Sequence, residues 1–282
     1  MHGAHRTRHI TKWYIDARGY RVRLVLGGHG FVGSAFVRHA NAHGIDHRAV
    51  GRADYASAVG TSCDVLINAA GNARKYRADA DPRWDFEESV RSVLHSLRDF
   101  DAETYVYISS VAVYADHDNQ VLTSEDASID PNRLPPYAAH KYMAEQLVRR
   151  HAKRWLIIRL GGVVGPGLRK GPVFDLLERA PLWVAPTSTF QFIDTDHVAA
   201  IVDTLLKQGH TNEVINVAGR DPLTLDAVAS ILGTEQSSAR ADAPTEHWNI
   251  DVSRAHALVG LPTTEETLCA LARERETLEV HA

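Results

Sequence analysis

The stretch LVLGGHGFVGSAF, residues 24–36, decides the fold, because an apolar run leads directly into a cluster of glycines. Gly27, Gly30 and Gly33 recur at every third residue, and Gly28 completes the shorter pattern GxGxxG with the last two. Glycine at these positions permits a tight turn, lets the backbone approach a pyrophosphate, and lets the following helix pack closely on the strand. Because the loop lies between a predicted strand and a predicted helix, it predicts a dinucleotide site with the phosphates at the helix start.

Strands and helices alternate along the chain after this loop. Beyond the first strand, RVRLVL, the apolar runs HRAV, DVLINAAG, TYVYISSVAVY and RWLIIRL predict strands, and segments such as WDFEESVRSVLHSLRDF predict helices. The alternation is typical of an α/β protein with a doubly wound parallel sheet of the Rossmann type. Past Gly165 the pattern loosens into short strands (TFQFI, EVINVAG) and short helices, of which SRAHALVG is expected to be the last. We predict a flexible basic tail over residues 1–20, a dinucleotide-binding domain over 21–165, and a small substrate-binding lobe over 166–282.

The composition argues against several classes of function. The 282 residues are 44% hydrophobic and 23% charged, and a net charge of −4 gives no general attraction to nucleic acid or anionic membranes. No apolar run is long enough to span a bilayer, and the N-terminus lacks the apolar core of a signal peptide. The two distant cysteines, Cys63 and Cys269, fit a reducing compartment, and no cysteine or histidine spacing matches a metal site. We therefore predict a cytoplasmic protein without a metal ion.

The end of the second strand bears on which dinucleotide is bound. An NAD site places an acidic side chain there to accept from the ribose hydroxyls, whereas this chain has Gly51 followed by Arg52. A guanidinium can pair with a 2′-phosphate that a carboxylate would repel, so the sequence favours NADP(H). NAD(H) is the alternative, with Arg52 as a solvated loop residue and Asp54 as the acceptor of the ribose hydroxyls.

Three motifs in a fixed order give the chain a family resemblance. The glycine loop, YISSVAVY and YAAHK together resemble an extended short-chain dehydrogenase/reductase of the NAD(P)-dependent sugar epimerase/dehydratase type. The resemblance implies that Ser110, Tyr137 and Lys141 are the catalytic residues. Tyr137 would exchange a proton with a carbonyl or hydroxyl oxygen, Ser110 would position that oxygen, and Lys141 would bind the nicotinamide ribose and lower the pKa of the phenol. The alternative is that Tyr137 packs and Lys141 is solvated.

Further positions are assigned to the cofactor. Those predicted from the glycine loop, the strand end and the resemblance are Gly27, Gly30, Phe31, Val32, Gly33, Arg52, Asp64, Val65, Ala69, Ala70, Gly71, Tyr137, Lys141, Gly161 and Val163. In the family pattern, Asp64 and Val65 match the pair that flanks the adenine, and the NAAG segment matches the turn beside the adenosine ribose and phosphates. Gly161 and Val163 match the loop that closes over the nicotinamide carboxamide.

Departures from the family pattern bear on the substrate. Family members that bind nucleotide sugars usually carry asparagine, arginine and asparagine where this chain has Gly162, Phe190 and Ser89. Polar contacts to a pyrophosphate are therefore missing from the expected places. The dehydratase branch usually shows Thr-Asp-Glu where this chain has Ser110 followed by two apolar residues. Dehydration needs an additional acid and base, so this branch is disfavoured.

Basic residues offer replacement contacts for an anionic substrate. Arg74, Lys75 and Arg77 follow NAAG, and Arg169 and Lys170 follow the nicotinamide loop, so both groups are expected in loops at the rim of the cleft. A basic rim would attract an anion, although solvated side chains without a function fit equally well. The predicted substrate-binding residues are Arg74, Ser110, Arg169 and Gln191.

The expected activity follows from this set of residues. We predict an NADPH-dependent ketoreductase of a keto sugar linked to a nucleotide, and the resemblance also implies a homodimer. An NAD-dependent nucleotide-sugar epimerase is the first alternative, because it uses the same Ser, Tyr and Lys. A non-catalytic NADP-binding regulator is the second, although such a protein need not keep all three residues.

Overall fold

The main feature of the fold is one parallel β-sheet, in a computed structural model that describes residues 12–13, 22–72, 74–234 and 238–280. The described strands are β1 (Lys12–Trp13), β2 (Arg23–Leu26), β3 (His47–Val50), β4 (Thr61–Asn68), β5 (Asp101–Ser110), β6 (Arg154–Leu160), β7 (Gly162–Val164), β8 (Thr189–Phe190), β9 (Phe192–Asp194), β10 (Glu213–Val217) and β11 (Leu223–Thr224). The order in the sheet is β10-β6-β5-β4-β2-β3. β1 pairs with the start of β4, and the other residues of the predicted tail over 1–20 lie outside the described residues.

Helices cover both faces of the sheet, which confirms the predicted doubly wound α/β fold. The described α-helices are α1 (Phe31–Ala42), α2 (Tyr55–Ala58), α3 (Lys75–Ala80), α4 (Pro82–Phe86), α5 (Ser92–Asp99), α6 (Pro136–His151), α7 (Pro172–Leu177), α8 (Thr195–Lys207), α9 (Leu225–Ile231), α10 (Ser253–Val259) and α11 (Thr264–Val280). A π-helical turn, Glu87–Arg91, joins α4 to α5. One face of the sheet packs on α1, α8 and α10, and the other packs on α5 and α6.

The central strands are apolar on both sides because both faces are covered. In β6, Leu156 and Ile158 belong to one apolar cluster and Ile157 belongs to the other, and all three are fully buried. Such continuous apolar runs are typical of a parallel sheet between two helical layers. The carboxyl ends of these strands form the edge at which ligands of this architecture bind.

The chain after β6 forms a small lobe and then returns to the main sheet. β7 pairs with β9 and β8 with β11, and a third apolar cluster closes around Leu176, Phe192 and Val228. The predicted strand TFQFI is divided at Gln191, because its two halves pair with different strands. α8 then packs against α1, and β10 pairs with β6 at the sheet edge, so segments beyond the predicted boundary at residue 165 also belong to the main sheet.

A further C-terminal helix follows the one predicted to be last. The expectation that SRAHALVG ends the helical part is wrong, since α11 begins at Thr264. The Thr263 hydroxyl accepts from the Glu266 N–H at 3.0 Å, and the Glu266 carboxylate accepts from the Thr263 N–H at 2.7 Å. This reciprocal pair is a capping box, so Thr-x-x-Glu is the sequence signal that identifies the helix start.

The described residues contain no candidate membrane-spanning helix and no candidate metal-binding cluster. Within residues 12–13, 22–72, 74–234 and 238–280, no helix combines the length and apolar character needed to cross a bilayer. Over the same ranges, no group of three or more His, Cys, Asp or Glu side chains is placed to hold a metal ion.

Candidate active site

The glycine loop joins β2 to α1 with no space for side chains. Gly27 has φ +73°, and a Cβ there would lie 2.9 Å from the backbone nitrogen of Ala70 in the turn after β4. A Cβ on Gly33 would lie 2.1 Å from the Gly27 carbonyl oxygen, so only glycine lets the first turn of α1 come this close. Gly30 is the N-cap residue, which aims the free N–H groups of the helix into the crevice. The cradle therefore fits a dinucleotide pyrophosphate.

Substitution of Gly33 tests this cradle. We expect Gly33→Ala to raise the Kd for NADPH about 10- to 100-fold, because overpacking costs about 1–3 kcal/mol and displaces the helix start. Titration of the bound nicotinamide fluorescence measures the affinity. Gly44→Ala, at the other end of α1, is the matched control, since Gly44 has φ +61° and a Cβ there meets nothing within 4 Å. That variant should lose some stability but keep its affinity, and equal affinities in both variants would contradict the assignment.

Arg52 extends into solvent from the end of β3. Its side chain is 86% exposed and forms an ion pair with Glu88 at 2.5 Å. Asp54, the alternative acceptor, faces back toward the strand end, where its carboxylate accepts from the Gly51 N–H at 3.4 Å. His29 from the glycine loop lies 3.8 Å from the same carboxylate. The residues predicted to distinguish the two cofactors thus lie at the end of β3, beside the glycine loop.

The turn after β4 lies against the glycine loop, whereas the two residues assigned to the adenine lie away from it. The Ala69 N–H donates to the Leu26 carbonyl at 3.0 Å, which holds the turn over Ala69, Ala70 and Gly71 against the glycine loop. Asp64 and Val65 lie inside β4, roughly 10–13 Å before its carboxyl end at about 3.3 Å per residue. Their assignment to the adenine is therefore corrected, because the crevice opens only at the carboxyl ends of the strands.

Ser110 and Tyr137 come together at the carboxyl end of β5. Ser110 is the last residue of that strand, and its Oγ accepts from the Ala112 N–H at 3.2 Å, which fixes the side chain at the start of a 3₁₀ turn. Pro136 begins α6, whose next residue, Tyr137, is hydrogen-bonded to the Ser110 side chain. Lys141 follows one turn later and donates from Nζ to the Ile108 carbonyl at 3.1 Å. All three predicted catalytic residues therefore lie around one end of β5.

Burial sets the protonation of this group. Burial raises the pKa of Tyr137 to about 12, the Ser110 hydrogen bond acts against the rise, and the Asp85 carboxylate adds to it. The net direction for the phenol without a bound nicotinamide is thus upward, and the effect of Lys141 on it stays a prediction. Burial lowers the pKa of Lys141 to about 8, while Asp85 and Glu145 raise it and Lys170 lowers it further. The resting pair is a neutral phenol beside an ammonium that is close to losing its proton.

A cavity of about 560 Å³ opens on the outer side of Tyr137. The lobe contributes Trp248 to its wall, a residue that the motifs did not indicate. Its wall includes Lys75, His117 and Trp248. The His117 and Trp248 rings stack with centroids 3.8 Å apart, and Lys75 Nζ lies 3.9 Å from the centroid of the Trp248 ring. Trp248 and His117 are far apart in sequence, so only the tertiary fold brings them together. A polar segment that carries an aromatic side chain, EHWN, is the only local signal.

The residues near β7 and β9 close that part of the cleft. A Cβ on Gly162 would lie 2.6 Å from the Gln191 carbonyl oxygen, so the position where relatives carry asparagine has no room for a side chain. A Cβ on Gly161 would meet Ala218 at 2.7 Å, and Val163 packs on the core. The loop after β7 lies close to Phe31. A Cβ built on Gly167 in that loop would lie 4.0 Å from the Phe31 ring.

Gln191 is not available to a substrate. It is 3% exposed, its amide nitrogen donates to the carbonyls of Gly219 and Ile250, and its amide oxygen accepts from the Ile250 N–H at 2.7 Å. All its polar atoms are used to hold the C-terminal segment, so its assignment to substrate binding is corrected.

The basic residues lie around the cavity, partly on a helix. Lys75 and Arg77 are in α3, and not in the predicted loop, with Arg74 as its N-cap residue. Arg74 and Arg169 are exposed. Partial burial, with the charges of Arg74 and Lys75, lowers the pKa of Lys170 to about 8.

Comparisons with known proteins bear on the family and the fold. The model of the NAD dependent epimerase/dehydratase family matches residues 23–218. An uncharacterized UDP-glucose epimerase, YtcB, of Bacillus subtilis (strain 168) is 26% identical over 194 residues, 61% of this chain and 59% of that protein, so less than two thirds of the relative is spanned. A dTDP-4-dehydro-6-deoxy-D-allose reductase of a Streptomyces species is 25% identical over 264 residues, 75% of this chain and 80% of that protein.

Solved structures share the fold. MoeE5 in complex with UDP-glucose and NAD has a TM-score of 0.78 with 18% identity, and the match covers 92% of this chain and 99% of that chain. Other structures with the same fold hold NAD or NADPH.

Proposed function

The chain belongs to the NAD dependent epimerase/dehydratase family, whose members are enzymes of the extended short-chain dehydrogenase/reductase type. From that premise we propose that it is an NADPH-dependent ketoreductase of a nucleotide-linked keto sugar. The observation that carries the proposal is the position of the Tyr137 hydroxyl, which is hydrogen-bonded to Ser110 at the wall of the cavity. Such a phenol is protonated at neutral pH. It is therefore a proton donor, which the reduction of a ketone requires from the protein.

The residues of the chain divide the work around the substrate oxygen. A bound nicotinamide supplies the hydride that the protein itself cannot provide. Ser110 Oγ donates to the carbonyl oxygen and holds it beside the phenol, and Tyr137 gives its proton to that oxygen as negative charge develops on it. Lys141 is anchored at one donor by the Ile108 carbonyl, which leaves other N–H donors for a ribose hydroxyl. Its positive charge favours the phenolate that remains after the proton has left.

Arg52 supports the preference for NADPH. A 2′-phosphate at the end of β3 would replace Glu88 as the partner of this exposed guanidinium. We expect Arg52→Gln to lower kcat/KM for NADPH about 10- to 100-fold, since a hydrogen bond to a charged group contributes about 1.5–3 kcal/mol. The value for NADH should change little. Steady-state rates with each cofactor measure both, and an equal loss with NADH would assign Arg52 to another role.

The crowded basic side chains support an anionic substrate. The charges of Arg74 and Lys75 add to desolvation in lowering the pKa of Lys170, and a diphosphate placed among the three positive charges would be attracted to them. These residues would take over the contacts that Gly162 and Phe190 cannot make. The Streptomyces relative, which is named for reduction of a dTDP-linked keto sugar, supports the same class of substrate.

A direct assay tests the proposed activity. The purified protein is given NADPH and a dTDP-linked 4-keto-6-deoxy sugar, with cofactor oxidation followed by fluorescence and the sugar product by NMR. We expect one NADPH to be consumed for each alcohol formed. Interconversion of UDP-glucose and UDP-galactose with tightly bound NAD, and no net consumption of cofactor, would establish the epimerase instead.

The pH dependence provides a separate check on Lys141. We expect the affinity for NADPH to fall as the pH rises through about 8, because Lys141, which is assigned to the nicotinamide ribose, loses its proton there while Tyr137, with a pKa of about 12, keeps its own. Lys170→Gln should move this decline to higher pH, because the charge of Lys170 lowers the pKa of Lys141. An unchanged position of the decline in that variant would mean that another group titrates.

A further inference from the structure

A single buried carboxylate connects α6 to the cofactor side of the cleft. We call α6 the catalytic helix, because it carries Tyr137 and Lys141. Asp85 in α4 is 0% exposed. Its Oδ1 accepts from Asn72 Nδ2 at 2.8 Å and from Ser89 Oγ at 3.0 Å, and its Oδ2 lies 2.7 Å from His140 Nδ1. A carboxylate without water is stable only when such donors replace the solvent. Three side chains from three segments supply them here.

Each of these donors belongs to a different part of the site. Asn72 follows the turn after β4 and also fixes the next segment, because its amide bonds the carbonyl of Arg74 at 2.9 Å and the N–H of Arg74 at 2.7 Å. Ser89 lies in the π-helical turn, a distortion frequently found at functional sites. His140 lies on α6 between the two predicted catalytic residues of that helix. Asp85 therefore joins the segment after β4, the π-helical turn and the catalytic helix.

Asp85 is not the residue that caps α4. The start of α4 is already capped by Asp81, whose carboxylate accepts from the Trp84 N–H at 3.0 Å. Well-packed apolar residues usually serve a buried position as well as charged ones or better. The Asp85 carboxylate thus calls for an explanation other than stability.

The electrostatic surroundings of Lys141 supply that explanation. The groups around its ammonium are Asp85 from α4, Glu145 from α6, Tyr107 from β5, whose ring centroid lies 5.2 Å from Nζ, and Lys170 from the loop after β7. Burial lowers the pKa of Lys141 to about 8, and Asp85 is the largest influence in the opposite direction. Without that carboxylate the lysine would lose its proton at a lower pH.

We propose, resting on the function proposed above, that Asp85 is a positioning residue of the active site. Through His140 and Asn72 it holds α6, and with it Lys141, against the turn after β4, and it brings a buried carboxylate to the surroundings of the Lys141 ammonium.

Asp85→Asn tests the charge, because the amide is nearly isosteric and can still accept and donate hydrogen bonds. The measurement is NADPH affinity across the pH range. We expect its alkaline decline to move down by about one pH unit, the size of effect that a nearby charge produces. Asp81→Asn at the N-cap of the same helix is the matched control, since asparagine caps a helix about as well as aspartate and the change should leave the decline in place. A folded Asp85→Asn variant with the wild-type decline would overturn the charge effect.

His140→Phe tests the positioning and decides the matter if Asp85→Asn does not fold. It keeps the buried charge, removes one of its donors, and places an apolar ring beside Phe86, whose ring centroid lies 5.6 Å from that of His140. We expect NADPH affinity and kcat each to fall about tenfold with the decline unmoved, at a temperature where unfolding curves show the variant fully folded. Wild-type affinity and kcat would overturn the positioning role. A wild-type protein that reduces no keto sugar but shows these shifts in NADPH affinity would contradict the proposed function and leave this inference standing.

Discussion

Tyr137→Phe will lower turnover about 10²- to 10⁴-fold, the contribution typical of a positioned general acid. The change removes one oxygen atom, which carries the proton donated to the substrate, and leaves the ring that forms the cavity wall. Ser110 keeps its bond from the Ala112 N–H, so the loss strands no buried backbone donor beside the site. The Kd for NADPH should stay at the wild-type value because the phenol hydroxyl is assigned to the substrate oxygen. Single-turnover rates at saturating NADPH measure the loss directly.

Tyr142→Phe is the matched control for that experiment. Tyr142 lies on the same helix, and its ring packs against the apolar core. Removal of its hydroxyl should leave turnover near the wild-type value. Normal turnover in Tyr137→Phe, or equal losses in both variants, would mean that the phenol of Tyr137 is not the proton donor.

The features that the sequence predicted well are those set by short spacing. Gly27, Gly30 and Gly33 form one continuous turn, and their spacing is itself the geometry that a phosphate loop needs. Tyr137 and Lys141 are one helical turn apart, so their relation was determined once a helix was predicted there. Ser110 joined them because parallel strands end at a common edge.

The features that were missed depend on contacts between distant segments. Gln191 was assigned to substrate from its position in a returning strand, but the strand divides there and its side chain turns to the C-terminal segment. His117 meets Trp248 across the cavity, and Asp85 meets His140 across two helices, by contacts that no local pattern specifies. Asp64 was misplaced for a different reason, since a motif match gives no information on which end of a strand it occupies.

A buried ion pair links the catalytic helix to β6, and local spacing did not reveal this contact either. Glu145 is 0% exposed. Its carboxylate accepts two hydrogen bonds from Arg159 in a bidentate arrangement, from Nε at 3.1 Å and from Nη2 at 2.8 Å. Ser109 Oγ donates to the same carboxylate at 2.6 Å, and Nη1 of Arg159 donates to the Tyr114 hydroxyl at 2.9 Å. Every charge in this group is therefore matched, although neither ion is in contact with bulk water.

Arg159→Met should lower the free energy of unfolding by about 3–5 kcal/mol, because it leaves the Glu145 carboxylate buried without its cation. Glu145→Leu combined with Arg159→Met should recover most of that loss, since two apolar side chains need no partner and the desolvation cost of both charges disappears. Urea unfolding followed by circular dichroism, compared at equal m values, gives the three free energies. A double variant as unstable as Arg159→Met would show that the pair itself stabilises the fold, and that the cost does not come from the charge left alone.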